Sequence, residues 1–331
     1  MNVVRLHAHG ELHLHDEPEP VPVAGEAMVR VKAVGVCGSD LHWFSEGEIG
    51  DAKLEHPLVL GHEFAGETGD GQRVAIDPAM PCGHCEFCER GHPNLCENMI
   101  FAGHGATDGA LREYASFPHH CLFPLPDSLS YADGAMLEPL GVAIHAVDLG
   151  KLRAGMSVAV FGCGPIGLLI VQLARLSGAS NIVATDVLPH RVEAAKNFGA
   201  DHAILAEAGR ELDAIRAATS GRGVDVAFEA AGEQGAVDDA FAAVLPGGKV
   251  ILVGIPSDGC TSFRASTARR KGLTIKLVRR MKHTYPRAIE LASKGLVDVR
   301  SLVTHRFPLK GSADAFRVAE RREGLKIIIE V

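Results

Sequence analysis

The chain has 331 residues, 47% of them hydrophobic, and that length exceeds what a single hydrophobic core usually supports, so two domains are expected. A formal net charge of -8 gives a polyanion little to hold, which argues against a nucleic-acid partner. The most apolar helical stretch, Ile166 to Leu176, is interrupted by Gln172 and Arg175 and falls far short of the roughly 20 residues a bilayer requires, so no membrane partner is expected either.

From the start of the chain, Arg5, His7 and His9 occupy positions where a secretory leader would need an apolar run, so the expectation is a cytoplasmic protein. His7, His9, His13 and His15 alternate at strand spacing and read as an exposed strand face. Through about residue 145 the chain reads as short strands joined by Gly and Pro turns; Ala27 to Ala33 alternates, and Gln72 to Ile76 does so in part. Cys37 lies in Val36-Cys37-Gly38-Ser39-Asp40-Leu41-His42, and His62 and Glu63 lie in Gly61-His62-Glu63. By itself Cys37 is a small core residue and His62 a hydrogen-bonded core imidazole. Glu63 is harder to place in that apolar setting, because a buried carboxylate needs a charge partner, and Glu138 in Met136-Leu137-Glu138-Pro139-Leu140 raises the same requirement. Spacing alone does not bring these four residues together.

Four of the eight cysteines, Cys82, Cys85, Cys88 and Cys96, form a C-x2-C-x2-C-x7-C cluster in a segment rich in Gly, Pro and charge. Such a segment has too little apolar material to bury four thiols, whereas four thiolates close a tetrahedral shell around zinc with no open position, the mark of a structural site. The lobe should need its metal to fold.

From about Lys151 the texture changes to apolar strand, Gly-rich turn and Ala-rich helix, repeated as Ser157 to Phe161, Ile166 to Leu176, Asn181 to Thr185 and His190 to Phe198. That rhythm predicts βαβ units and a parallel sheet, an α/β fold in this half. Val224 to Glu229 and Lys249 to Val253 fit further strands, the second introduced by the turn Pro246-Gly247-Gly248. The first strand runs straight into Gly162-Cys163-Gly164-Pro165-Ile166-Gly167. With a strand before it and a helix after it, this is a dinucleotide-binding turn: Gly162 permits the bend, Gly164 admits the pyrophosphate, Gly167 lets helix and strand pack, and the helix N-terminus faces the phosphate charge. Pro165 and Ile166 belong to the same turn. Asp186, at the end of the next strand, can accept both ribose hydroxyls and would repel a 2'-phosphate, which favours NAD over NADP. Arg191 either edges the adenine ribose pocket or is a solvated helix charge. Val253, Gly254 and Ile255 complete the cofactor candidates. The run Leu325 to Val331 reads as a strand returning to the first domain.

Taken together, these residues resemble the zinc-containing medium-chain dehydrogenases, and within them the sorbitol (polyol) and L-idonate dehydrogenase branch. The resemblance spans essentially the whole chain. It is carried by Gly35 to His42, Gly47-Glu48-Ile49-Gly50, Pro57 to Glu63, the four-cysteine lobe, Glu138-Pro139-Leu140 and Val303 to Leu309. It implies a GroES-like, mostly β catalytic domain over residues 1–144 and 282–331, with the zinc lobe at about 80–100. That domain is interrupted by a Rossmann domain over 145–281, with the active site in the cleft between the two. It also implies a catalytic zinc held by Cys37, His62 and Glu63, with Glu138 binding directly or holding a zinc-bound water, and Asp40 orienting His62. Ser39 and His42 match a proton relay to solvent, and a water bridging to Glu138 is the rival route. Arg280 matches an arginine facing substrate and nicotinamide, while Arg279 is a solvated charge. Trp43 and Phe44 line the substrate cleft, or one of the two belongs to the core. Glu138 stands where some alcohol dehydrogenases place a second cysteine ligand, and animal sorbitol dehydrogenases lack the complete cysteine lobe.

The implied activity is hydride transfer between NAD and a secondary alcohol or ketone, a polyol or sugar acid. Butanediol and threonine dehydrogenases are the near alternatives, and a non-catalytic dinucleotide-binding protein is the alternative of a different class. The implied partners are a small-molecule substrate and further copies of the chain in a homotetramer or dimer.

Overall fold

Alternation of Val29, Val31 and Ala33, all buried, with Arg30 and Lys32 builds one ten-residue strand, Glu26–Gly35, that organises the first half of the protein. The computed structural model describes residues 1–207 and 209–331. It divides into two units, Met1–Gly141 with Lys282–Val331, and Val142–Met281.

In the first unit the long strand is shared among three partners. Its start pairs antiparallel with Tyr114–Pro118, its end (Ala33 to Gly35) with the C-terminal strand Lys326–Glu330, and its other edge with Glu63–Thr68. The seven-stranded sheet continues from Glu63–Thr68 through Arg73–Ile76 to Leu122–Pro124, and from Lys326–Glu330 to Val303–Pro308. Apolar side chains from this sheet, from the N-terminal hairpin and from the helix Ser312–Glu320 form the core, which includes Val3, Leu6, Phe64, Leu111, Phe316 and Ile329. Trp43 and Phe44, on the helix Gly38–Glu46, are part of that core.

Gly35 is dictated by close approach. It pairs with Glu63 across the sheet, and a Cβ built on it would lie 2.1 Å from Glu63 Oε2.

The second unit is a six-stranded, wholly parallel sheet. Its spatial order is His202–Leu205, Asn181–Asp186, Ser157–Phe161, Val224–Glu229, Val244–Leu252 and Thr274–Leu277. This is the doubly wound arrangement, whose ligands bind beyond the carboxyl ends of the strands where the order reverses, here beside Ser157–Phe161. Every residue of that strand is buried, as a parallel strand covered on both faces requires. The expected turn at Pro246 to Gly248 does not precede its strand. It is absorbed into Val244–Leu252 as an irregularity where the register steps from Val224↔Val244 to Val226↔Lys249, with Gly247 at φ +81°.

Charge is distributed less evenly than the net value conveys, for nine Lys and Arg and no acidic residue occupy the run from Arg264 to Arg287. Within this unit that run forms the helix Ala265–Lys271 and the edge strand Thr274–Leu277, and like charges along an open edge discourage pairing with a second sheet. Among the described residues, no helix is long and apolar enough to cross a membrane.

The helices Arg210–Ala218 and Gln234–Ala243 meet through two carboxyl groups, Glu211 and Asp239. Burial, with the hydrogen bond and charge of Glu211, raises Asp239 from 3.8 to about 6. A carboxyl raised on folding contributes stability below its unfolded pKa and loses it as pH rises through the folded one, so the pair costs stability above about pH 6. Asp239→Asn is therefore expected to raise the melting temperature at pH 8, with the gain shrinking toward pH 4. A gain that is independent of pH would contradict the raised Asp239 carboxyl.

Candidate metal and cofactor sites

Cys37 follows the long strand and caps the helix Gly38–Glu46. Its N–H donates to Asp40 Oδ2 at 3.0 Å, and Asp40 in turn completes a capping box with the Cys37 side chain. The other oxygen of Asp40 accepts from the Gly61 N–H at 3.2 Å and lies 3.2 Å from His62 Nδ1. One fully buried carboxylate thus ties the loop carrying Cys37 to the loop carrying His62, and it holds the imidazole by one nitrogen so that Nε2 faces Cys37. Burial would raise the Asp40 carboxyl, but the charge and hydrogen bond of His62, with the N–H groups of Cys37 and Gly61, hold it below its ordinary value.

Glu63 begins the next strand. Candidate ligand atoms of Cys37, His62 and Glu63 all lie within 4.8 Å of one another. Glu138, in the first turn of the helix Leu137–Gly150, is buried outside that trio. Burial pushes it up to about 7 against the charge of His62, with Glu63 adding to the rise. Ser39 Oγ donates to Cys37 Sγ at 3.3 Å and stands 3.4 Å from His62 Nε2. His42, one turn further along the helix, is bonded instead to Glu46 Oε2 at 3.1 Å, so the two relay candidates do not touch.

Sequence reasoning missed Lys326. Its side chain is 3% exposed, and its ammonium is ion-paired with Glu63 Oε2. Burial opposes its charge, but Glu63 and Cys37 raise its pKa above the ordinary value. A signal was available in the sequence: a lysine opening the run Lys326-Ile327-Ile328-Ile329 in a buried strand needs a carboxylate.

The donor set fits a cation. Cys37, Asp40, Glu63 and Glu138 supply acidic groups to one neighbourhood, the three carboxyls buried, in which Lys326 is a buried positive charge. Burial lowers the pKa of His62, but Asp40 and Cys37 together carry it well above its usual value. A metal ion on Nε2 would stand where that proton stands.

The four-cysteine cluster fits zinc by a direct geometric test. Cys82 and Cys96 Sγ are 3.6 Å apart, Cys85 and Cys88 3.5 Å, and Cys85 and Cys96 3.8 Å. Bonds of about 2.3 Å from zinc to sulfur place the corners of a tetrahedron about 3.8 Å apart. The backbone N–H of His84 helps lower Cys82 to about 6, toward the thiolate a metal requires.

In the second unit Gly162 has φ +94°, and a Cβ on Gly167 would sit 1.8 Å from Gly162 O. Gly164 is the N-cap of the helix Pro165–Leu176, with Pro165 in its first turn. Asp186 Oδ2 accepts from the Cys163 N–H at 2.7 Å and Oδ1 from the Leu188 N–H at 2.8 Å, fixing the carboxylate beside the turn. A guanidinium nitrogen of Arg191 lies 3.6 Å from the Cβ position of Gly164, which places Arg191 at the turn rather than out on the helix. Val253 and Gly254 donate to the Glu229 carbonyl, and Gly254 packs so closely on Gly232 that a Cβ would come within 2.1 Å of its nitrogen. Ile255 follows, half exposed. Arg280 adopts the left-handed backbone region at φ +53°, uncommon for a side chain of its size.

A dinucleotide-type sheet in one unit and a partly exposed thiol beside a buried imidazole and carboxylate in the other are the parts of a metal-dependent, nicotinamide-linked oxidoreductase. Residues 165–294 match the family model described as zinc-binding dehydrogenase, and residues 23–127 the alcohol dehydrogenase GroES-like domain. The sorbitol dehydrogenase of Bacillus subtilis (strain 168) is 38% identical across 99% of this chain and 97% of its own. Among solved structures, L-idonate 5-dehydrogenase from Escherichia coli is 28% identical with a TM-score of 0.90, over 100% of this chain and 98% of that one. The 2R,3R-butanediol dehydrogenase from Bacillus subtilis is 30% identical with a TM-score of 0.89, over 100% and 99%. The chain belongs to the zinc-binding alcohol dehydrogenase family, in the branch of the sorbitol dehydrogenases.

Two outcomes follow for the purified protein. Metal analysis is expected to give two zinc per chain, and Cys88→Ser to give one with a lowered melting temperature; two zinc in that variant would remove the lobe from the metal count. In protein whose Cys37, His62 and Glu63 hold no metal, Lys326→Met leaves Glu63 buried without a counter-ion and is expected to cost about 3 to 5 kcal/mol in denaturant unfolding. A loss below about 1 kcal/mol would show that the pair is not buried in solution.

Proposed function

We propose that the protein oxidises a secondary alcohol of the polyol or sugar-acid kind to its ketone with NAD, and catalyses the reverse reduction. The observation that carries this reading is the convergence of Cys37, His62 and Glu63 donor atoms within 4.8 Å in a pocket with excess buried acid. Zinc held by these three residues would supply a Lewis acid that favours the alkoxide, and NAD would accept the hydride.

The protein's own groups divide the remaining work. Asp40 fixes the orientation of His62, and Lys326 balances part of the charge on Glu63. Glu138, outside the trio and at about 7, is suited to hold a water and its proton rather than to close the shell. Ser39, within reach of both Cys37 and His62, takes the substrate hydroxyl proton, and because it does not touch His42, a water or a cofactor hydroxyl must carry the proton across the gap before His42, bonded to Glu46, releases it to solvent. Arg280 recognises substrate hydroxyls or a carboxylate through its fork of donors. Asp186 selects NAD by accepting from the ribose, with Arg191 lining the same pocket. A metal lobe of four reduced cysteines suits the cytoplasm. A vicinal diol is the second reading, favoured by the likeness to butanediol dehydrogenase.

A panel of polyols, sugar acids, diols and threonine, assayed by NADH formation with NADP in parallel, tests the assignment. The expected result is the highest kcat/KM on a polyol or sugar acid with NAD. His62→Ala should lower kcat by at least about 100-fold, and Glu138→Ala should lower it too, while each variant keeps the cysteine-lobe zinc. Intact turnover in either variant would overturn the site.

A further inference from the structure

The N-terminal hairpin has no part in the chemistry above, yet it gathers three imidazoles. Its strands, Asn2–Ala8 and Glu11–Asp16, pair antiparallel with Val3 opposite His15 and Arg5 opposite His13, which puts His13 and His15 on one face with Arg5 and His7. The sequence pattern predicts a plain exposed face, but the rings converge. His7 and His15 stack with centroids 4.9 Å apart and 23° between planes, and His13 stands edge-on to His7 at 5.1 Å. The Nε2 atoms of His7 and His15 are 2.8 Å apart.

We propose that this hairpin is a surface site for a borderline divalent transition cation, Ni(II) or Cu(II), held by His7 Nε2 and His15 Nε2, with the His13 ring packed beside the pair. Imidazole nitrogens bind such ions at about 2 Å, and neighbouring donors in a square or octahedral shell then lie about 2.9 Å apart. Without a metal the two nitrogens share a hydrogen bond at 2.8 Å, a separation already close to that edge, so an ion could replace the shared proton with little movement of either ring. Arg5 does not repel an incoming cation at full strength, since Glu17 and Asp108 pair with its guanidinium at 2.6 and 2.9 Å. Glu11, 3.9 Å from His13 Nε2, adds a carboxylate at the rim. Water completes the shell. His9 is exposed in the turn after the first strand and has no part in these ring contacts, which makes it the control.

The experiment is a calorimetric titration of the zinc-replete protein with Ni(II) chloride, with zinc release followed in the same samples. One Ni(II) per chain is expected, with no zinc displaced. His7→Ala, His15→Ala and the double variant should each weaken that binding at least about tenfold, while His9→Ala binds as the parent does. These positions are on the surface, and an unchanged melting temperature in the absence of nickel confirms that the variants are folded. Absence of nickel binding would overturn the proposal. So would undiminished binding in the double variant, equal loss in His9→Ala, or nickel uptake matched by zinc release.

Discussion

The arrangement around His62 depends on burying more acid than base. Asp40, Glu63 and Glu138 are all nearly inaccessible to water, Cys37 adds a thiol, and Lys326 is the fixed counter-ion. A carboxylate taken out of water costs several kcal/mol unless charge or hydrogen bonds are returned to it, so each acid here has a specified partner. Asp40 has two backbone N–H groups and an imidazole, and Glu63 has an ammonium. Glu138 sits next to the same charges and meets part of the cost by rising to about 7. A divalent cation is the natural completion of such a pocket, because it neutralises several groups at once without adding side chains.

The scaffold around the pocket follows from the same constraint. Glu63 can approach the long strand closely because residue 35 has no side chain, and Lys326 reaches it because the C-terminal strand pairs with the same residues from the other side. In the second unit the missing Cβ atoms of Gly162 and Gly167 make room for neighbouring main chain instead, while the position beside Gly164 stays open, as the proposed cofactor phosphate would require.

What the sequence revealed divides by distance along the chain. The cysteine lobe and the dinucleotide turn were legible from the residues because each is local: fifteen residues hold all four thiols, and strand, turn and helix follow one another without interruption. Cys37, His62 and Glu63 were brought together only by resemblance, since periodicity does not measure the separation of residues on different loops. Asp40 was expected to orient His62, but its second task, binding the Gly61 N–H, depends on loop packing. Lys326 escaped notice because a lysine at the head of a strand usually lies at the surface. Trp43 and Phe44 were left open between cleft and core, and both entered the core. The turn at Pro246 to Gly248 misled because Gly and Pro mark an irregularity within a strand as readily as its start.

The lysine that balances Glu63 lies in the last strand of the chain, on the far side of the entire nucleotide-binding unit in sequence. During synthesis the first 141 residues therefore emerge with that acid unmatched, and only the closing segment can seal the pocket. Long-range closure of this kind is slow in entropic terms, since the loop to be closed encloses a domain. The parallel sheet has all its strands within residues 142–281 and needs nothing from the closing segment, whereas the Glu63–Lys326 pair cannot form until that segment has been made.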